Sequence, residues 1–191
     1  MQMLNIMIVG VGGQGSLLAS RILGSLFTAA GKEVKLSEVH GMAQRGGSVV
    51  TYIRAGEFVA SPLIDRGEAD VIISFEEAEA LRYLPWLKKG GTVVVNTQHI
   101  LPMPVLTGAA KYPENIVETM KALGAKVIAF DALGAAVEAG SVRCANVALL
   151  GAAASVIGHT EEEWQNAMKA TIKPKLLDLN LKAFALGKEA K

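Results

Sequence analysis

Cysteine is nearly missing from this sequence: Cys144 is the only one in 191 residues. A disulfide framework within the chain is excluded, and a reducing compartment is the simpler setting. A lone thiol also cannot hold an iron–sulfur cluster, which is ordinarily bound by several thiolates. Histidine is scarce, and His40, His99 and His159 stand far apart with no ligand spacing, so no metal site is expected. Aromatic residues make up 5% of the chain. Alanine, valine, leucine and glycine carry the apolar half, which suits close helix-on-sheet packing better than an aromatic binding surface. The formal net charge is +1, with no like-charge block, so the clustered basic face of a nucleic-acid binder is absent. The longest apolar stretch, 144–157, is too short to cross a bilayer and contains Asn146. Residues 1–9 lack the basic n-region of a secretory signal. The expectation is a cytoplasmic protein with neither membrane nor nucleic acid as partner.

What the chain does have is glycine in telling places. Gly10-Val11-Gly12-Gly13-Gln14-Gly15 follows an apolar run and precedes an Ala/Leu-rich stretch. Strand, glycine turn and helix form the context in which a G-x-G-x-x-G string carries weight. Free N–H groups at the start of such a helix favour an anion. The patterning predicts strands at 3–9, 34–39, 48–54 (with a turn into 58–60), 70–74, 92–96 and 126–130. Helices are expected at 14–30, 76–88, 114–123, 132–139, 146–157 and 161–186, the last opened by a Thr160/Glu163 capping box and broken near Pro174. Residues 97–113, with three of the six prolines, read as a long loop. Strand and helix alternate as far as 130, then only helix follows. The fold class is α/β: a Rossmann-like, mostly parallel sheet with helices on both faces and a helical C-terminal cover, in one domain over residues 1–191.

The glycine loop supplies Gly10, Gly12, Gly13, Gln14 and Gly15 as candidate cofactor-binding residues. A dinucleotide site also needs an acidic residue about twenty residues further on, and Glu38 stands there. Gln14 argues the other way, because its amide can project into the site. So does the polar, glycine-bearing loop that follows the second strand. That loop, His40-Gly41-Met42-Ala43-Gln44-Arg45-Gly46-Gly47-Ser48, is the second dense site. It adds Gln44, Arg45, Gly46 and Gly47 to the candidate binding residues, and His40 and Arg45 as candidate catalytic groups. The Arg45 fork suits a carboxylate or phosphate. Both loops follow strands, so both are expected at the carboxyl edge of the sheet, where open α/β sheets bind ligands.

Other positions read as structural. Glu76, Glu77 and Glu79 suit a solvated helix start. Asn96, Thr97 and Asp131 suit turn caps, His99 and His159 surface or capping roles, and Cys144 an inert core thiol. A nucleophile–base–acid set is not visible.

The two loops together resemble the gamma-type domain of the 2-oxoacid:ferredoxin oxidoreductases, and the His-Gly-Met-Ala-Gln-Arg-Gly-Gly variant resembles its indolepyruvate branch. Residues 90–97, 146–151 and 180–187 extend the likeness over nearly the full length. The resemblance implies the small (beta) subunit of a thiamine-diphosphate-dependent enzyme. That enzyme oxidatively decarboxylates an arylpyruvate with coenzyme A and passes electrons to ferredoxin. Thiamine diphosphate and iron–sulfur clusters would then reside on a large catalytic alpha subunit, with coenzyme A at the two-loop edge. A gamma subunit for another 2-oxoacid, a free-standing NAD(P)-binding oxidoreductase and a non-catalytic scaffold remain open alternatives.

Overall fold

Among the described residues, five of six strands point the same way, and the exception determines the layout of the molecule. The computed structural model describes residues 3–41 and 46–190. Its strands are β1 (Leu4–Val11), β2 (Glu33–His40), β3 (Ser48–Gly56), β4 (Ala69–Ser74), β5 (Leu87–Asn96) and β6 (Lys126–Phe130). They form one sheet in the order β2-β3-β1-β4-β5-β6. β1, β4, β5 and β6 are mutually parallel, and β3 runs antiparallel between β1 and β2. The mostly parallel α/β architecture expected from the sequence is present. The carboxyl ends of β1, β2, β4, β5 and β6 share one edge.

Alternation along the strands divides the core in two. Ile6, Ile8, Ile53, Val71, Ile73 and Val94 face one side and pack under α1 (Ser16–Ala29), α5 (Ala132–Ala139), α6 (Ala145–Ile157), α7 (Glu161–Thr171) and α8 (Pro174–Lys188). Met7, Val9, Val50, Ile72, Val93 and Val95 face the other, under α2 (Glu77–Tyr83) and α4 (Ile116–Ala122). A strand buried on both faces reads as a continuous apolar run, and Ile6 to Val9 are fully buried as that requires.

Several boundaries differ from the sequence expectation. Residues 58–60 are not a strand: β3 ends at Gly56, and Phe58 is 72% exposed. The helix expected at 76–88 ends at Tyr83, because Pro85 lets only a short 3₁₀ turn follow. Leu87 then pairs with Ala69, so β5 begins five residues before Thr92. The 97–113 loop contains a one-turn helix, α3 (Met103–Leu106). Two expectations hold: the 161–186 helix is broken at Pro174 into two, and the Thr160/Glu163 capping box opens the first.

The tightest crossing is α6 on α8. A Cβ on Gly187 would run into the Ala148 carbonyl oxygen, and one on Gly151 into that of Phe184. Backbone cannot step aside as a side chain can, so these two positions set the approach of the helices. Gly187→Ala should destabilise the fold by about 3 kcal/mol or more, at the upper end of overpacking costs. Denaturant unfolding checks this, and a change below about 0.5 kcal/mol would refute the close-contact account.

Candidate functional site

The glycine loop is locked from two directions. Gln14 folds back into the loop: its Oε1 accepts from the Val11 N–H at 2.7 Å, and its Nε2 donates to the Phe75 carbonyl at 2.9 Å and to Gln98 Oε1 at 3.3 Å. The amide expected to project toward a ligand instead ties the loop to the end of β4. From the other side, the buried Asn146 of α6 donates to the Gly15 carbonyl at 3.1 Å. Gly15 has φ 90° and is the N-cap of α1, with no side-chain cap. A Cβ there would meet Asn146 Nδ2 at 2.5 Å, so the position requires glycine both sterically and conformationally. Gly13, with φ 104°, faces open space.

The second loop meets the first through backbone. Gly12 N–H donates to the Gly47 carbonyl at 2.8 Å, and Gly46 N–H to the Gly12 carbonyl at 3.2 Å. These bonds prolong the β1–β3 ladder, in which Gly10 faces Val49 and Val11 faces Ser48. His40, the last residue of β2, is exposed, and its Nδ1 donates to the Gly41 carbonyl at 3.2 Å. Gln44 and Arg45 lie outside the described residues. A cavity of about 440 Å³ opens where the loops meet, lined by Gly12, Gly13, Gly15, Ser16, Glu38 and His40 among others. The first N–H groups of α1 precede any intrahelical carbonyl, and they border this space. Because β3 separates β2 from β1, Glu38 is not on the neighbouring strand that a dinucleotide fold uses for its ribose carboxylate. Its carboxylate accepts from Thr51 Oγ1 at 3.3 Å.

The three glutamates after β4 correct the sequence reading. Glu76, Glu77 and Glu79 are 1%, 9% and 6% exposed, and none is solvated. Glu76 does cap α2, accepting from the Glu79 N–H at 2.9 Å. Its other oxygen accepts from the Ile100 N–H at 3.2 Å and from the Tyr112 hydroxyl. Glu77 pairs with His99 at 2.9 Å, and the His99 ring lies 4.8 Å from that of Tyr112. Glu79 accepts from the Ser48 hydroxyl and from Arg82 Nε at 3.0 Å, tying α2 to the foot of the second loop. Burial, reinforced by the Glu76 hydrogen bond, pushes the Tyr112 phenol well above its usual 10.0. The expected caps hold: Asn96 Oδ1 accepts from the Ala132 N–H at 3.0 Å, and Asp131 from the Gly134 N–H at 2.8 Å. Cys144 is buried, and burial raises its thiol pKa.

Comparisons with known proteins settle the family. The pyruvate ferredoxin/flavodoxin oxidoreductase profile matches residues 5–190. The chain belongs to the pyruvate ferredoxin/flavodoxin oxidoreductase family. It is 46% identical to the indolepyruvate oxidoreductase subunit IorB of Thermococcus kodakarensis, over 97% of this chain and 95% of that one. It is 30% identical to the pyruvate/ketoisovalerate oxidoreductases common subunit gamma of the same organism, over 95% and 93%. Among solved structures, pyruvate oxidoreductase subunit PORC of Thermotoga maritima superposes with a TM-score of 0.77 at 22% identity, covering 100% of this chain and 97% of that one. A 2-oxoglutarate:ferredoxin oxidoreductase from Magnetococcus marinus, solved with 2-oxoglutarate, coenzyme A and succinyl-CoA bound, gives 0.74 at 22% identity. There the match covers 98% of this chain but 31% of the other. The chain is thus a member of an oxidoreductase-subunit family.

In this family member, sequence reasoning missed Glu76, Tyr112, Gln98 and Asn146. Their partners lie far away in the chain, and no local spacing reports them. The best available signal was the oddity of three glutamates directly after an apolar strand.

Tyr112→Phe removes a hydrogen bond to a buried carboxylate and should cost about 2 kcal/mol at neutral pH. A phenol whose pKa is raised on folding contributes stability below its unfolded value of 10.0 that is lost as pH rises beyond it. The wild type should therefore lose stability relative to Tyr112→Phe above about pH 10, which urea titrations at several pH values would read out.

Proposed function

We propose that this chain is the small (beta) subunit of a thiamine-diphosphate-dependent indolepyruvate (arylpyruvate):ferredoxin oxidoreductase. The carrying observation is 46% identity to an indolepyruvate oxidoreductase subunit over nearly the whole of both chains, against 30% to a pyruvate/ketoisovalerate common subunit. The two backbone-linked loops at the carboxyl edge support the same reading. The reaction joins a 2-oxoacid and coenzyme A into an acyl-CoA. Carbon dioxide leaves, a proton is released from the thiol, and two electrons pass to ferredoxin.

The chain's own donors do not suit a cluster. It has one cysteine, and no group of three or more His, Cys, Asp or Glu among the described residues could hold a metal ion. We therefore assign thiamine diphosphate and the iron–sulfur clusters to a large catalytic alpha subunit, which also passes electrons to ferredoxin. Thiamine diphosphate supplies the electron sink for decarboxylation. The small subunit walls the site. Its coenzyme A seat is the cavity between the loops: the N-terminus of α1 faces a phosphate, with Gly12, Gly13 and Gly15 allowing close approach. Gly10 and Gln14 keep that loop in place. Gly46 and Gly47 bring the second loop against the first, and we assign phosphate binding to Gln44 and Arg45 from their chemistry, the Arg45 guanidinium being a bidentate donor. His40 lines the same cavity and is the candidate catalytic group of this chain. The protein acts in the cytoplasm as one domain spanning 1–191. No helix among the described residues is long and apolar enough to cross a membrane.

The test is reconstitution. Neither subunit alone should reduce ferredoxin, and the pair should do so with indolepyruvate and coenzyme A. In the assembled pair, kcat/KM for indolepyruvate should exceed that for pyruvate by about tenfold or more. A preference for pyruvate would move the assignment to another 2-oxoacid, and activity of the small chain alone would end the subunit reading. Arg45→Ala should raise the KM for coenzyme A by about tenfold, with assembly intact. Unchanged kinetics would remove Arg45 from the site.

A further inference from the structure

Residues 97–110 form an arm with no core of its own. Every residue from 97 to 115 is exposed or half-buried. Yet Ile100-Leu101-Pro102-Met103-Pro104-Val105-Leu106 is an unbroken apolar run, with Leu101 45%, Met103 68% and Leu106 62% exposed. Soluble chains seldom leave a contiguous apolar surface uncovered, and long exposed loops of this kind tend to carry function. The arm is held firmly. Glu76, a buried carboxylate, accepts from Ile100 at one end and Tyr112 at the other, and His99 is paired with buried Glu77. Hydrogen bonds from Val105, Leu106 and Thr107 back to Pro102 and Met103 shape its tip. Buried carboxyl groups are thus committed to presenting apolar side chains outward.

We propose that this arm is the docking surface for the large catalytic subunit. The inference rests on the subunit reading above and adds where the contact lies. Three observations select this occupant. The arm is continuous with the glycine-loop edge, because Gln98 at its base is hydrogen-bonded to Gln14. Residues 100–110 include no charged side chain, so the matching face must be apolar and a polyanion would find nothing to pair with. The Magnetococcus marinus match is to a chain of which this fold is 31%, so there the same fold is one part of a longer polypeptide. A second copy of this chain could offer an apolar arm too. Methionine at the most exposed of the arm's large apolar positions also suits an interface core.

Co-expression of the full chain with the thiamine-diphosphate-dependent large subunit tests this. Met103→Glu and Leu106→Glu alter outward-facing groups, so each purified variant should keep the wild-type unfolding midpoint. Each should weaken capture by the large subunit about a hundredfold, as loss of an interface anchor does. If both variants bind as the wild type does, the arm is not the docking surface, while the subunit reading stands. If the wild type itself fails to bind the large subunit, the subunit reading falls and this inference with it. If the isolated wild type sediments as a dimer that either substitution dissociates, the occupant is a second copy and the proposal is overturned.

Discussion

The pairing of Gly12 with Gly46 and Gly47 is the contact on which the candidate functional edge depends. It continues the β1–β3 ladder beyond the ends of both strands, so the position of one loop fixes that of the other. This is possible only because β3 is antiparallel and lies between β1 and β2. In a purely parallel layout, the chain following β2 would leave the edge for a helix, and its polar residues would not return beside the first glycine loop. One reversed strand thus converts a dinucleotide-type strand–turn–helix into a two-loop edge. It also moves Glu38 to the strand beyond, where its carboxylate meets Thr51.

Buried carboxylates build the other half of that edge. An ionised carboxylate away from water is unfavourable unless its lone pairs are satisfied. Glu76 accepts from two backbone N–H groups and a phenol, which offsets that cost and also joins α2, the start of the arm and its end. Glu79 does the same for Ser48 at the foot of the second loop. The polar groups here are not scattered: each connects segments that the apolar core, confined to the two faces of the sheet, cannot reach. Removing one partner leaves the others unsatisfied, so these contacts behave as a unit rather than a sum.

Much of the fold was legible because its signals are local. Apolar runs such as Ile6 to Val9, the capping box at Thr160, the break at Pro174 and the glycine punctuation all act within a few residues. The place of β3 in the sheet was not legible, since strand order is a property of the whole. Glu76 to Glu79 misled for a related reason: by composition they match a solvated helix start, and only Tyr112, Ile100 and Ser48, 24 to 36 residues away, explain their burial. Gln14 was singled out correctly as unusual, but its amide closes the loop instead of facing outward. Gly151 and Gly187 stood in stretches whose resemblance was visible, while the reason, two helix backbones in contact, needed the third dimension.

Among the described residues the chain has one buried cysteine and no clustered metal ligands. Yet it maintains a rigid glycine turn locked by Gln14 and Asn146, a second loop bonded to it, and an apolar arm pinned by a buried carboxylate, all along one edge of one sheet. On the proposed subunit reading, such rigidity suits a wall, which must hold its donors still while chemistry proceeds opposite. Preorganised backbone N–H groups do this without reorganising when charge arrives. The same argument explains why the arm is anchored at both ends. A floppy apolar segment would lose conformational entropy on docking, and one already held by Glu76 loses far less. The edge is thus one preassembled surface, with the N-terminus of α1 at one end and the apolar arm around α3 at the other.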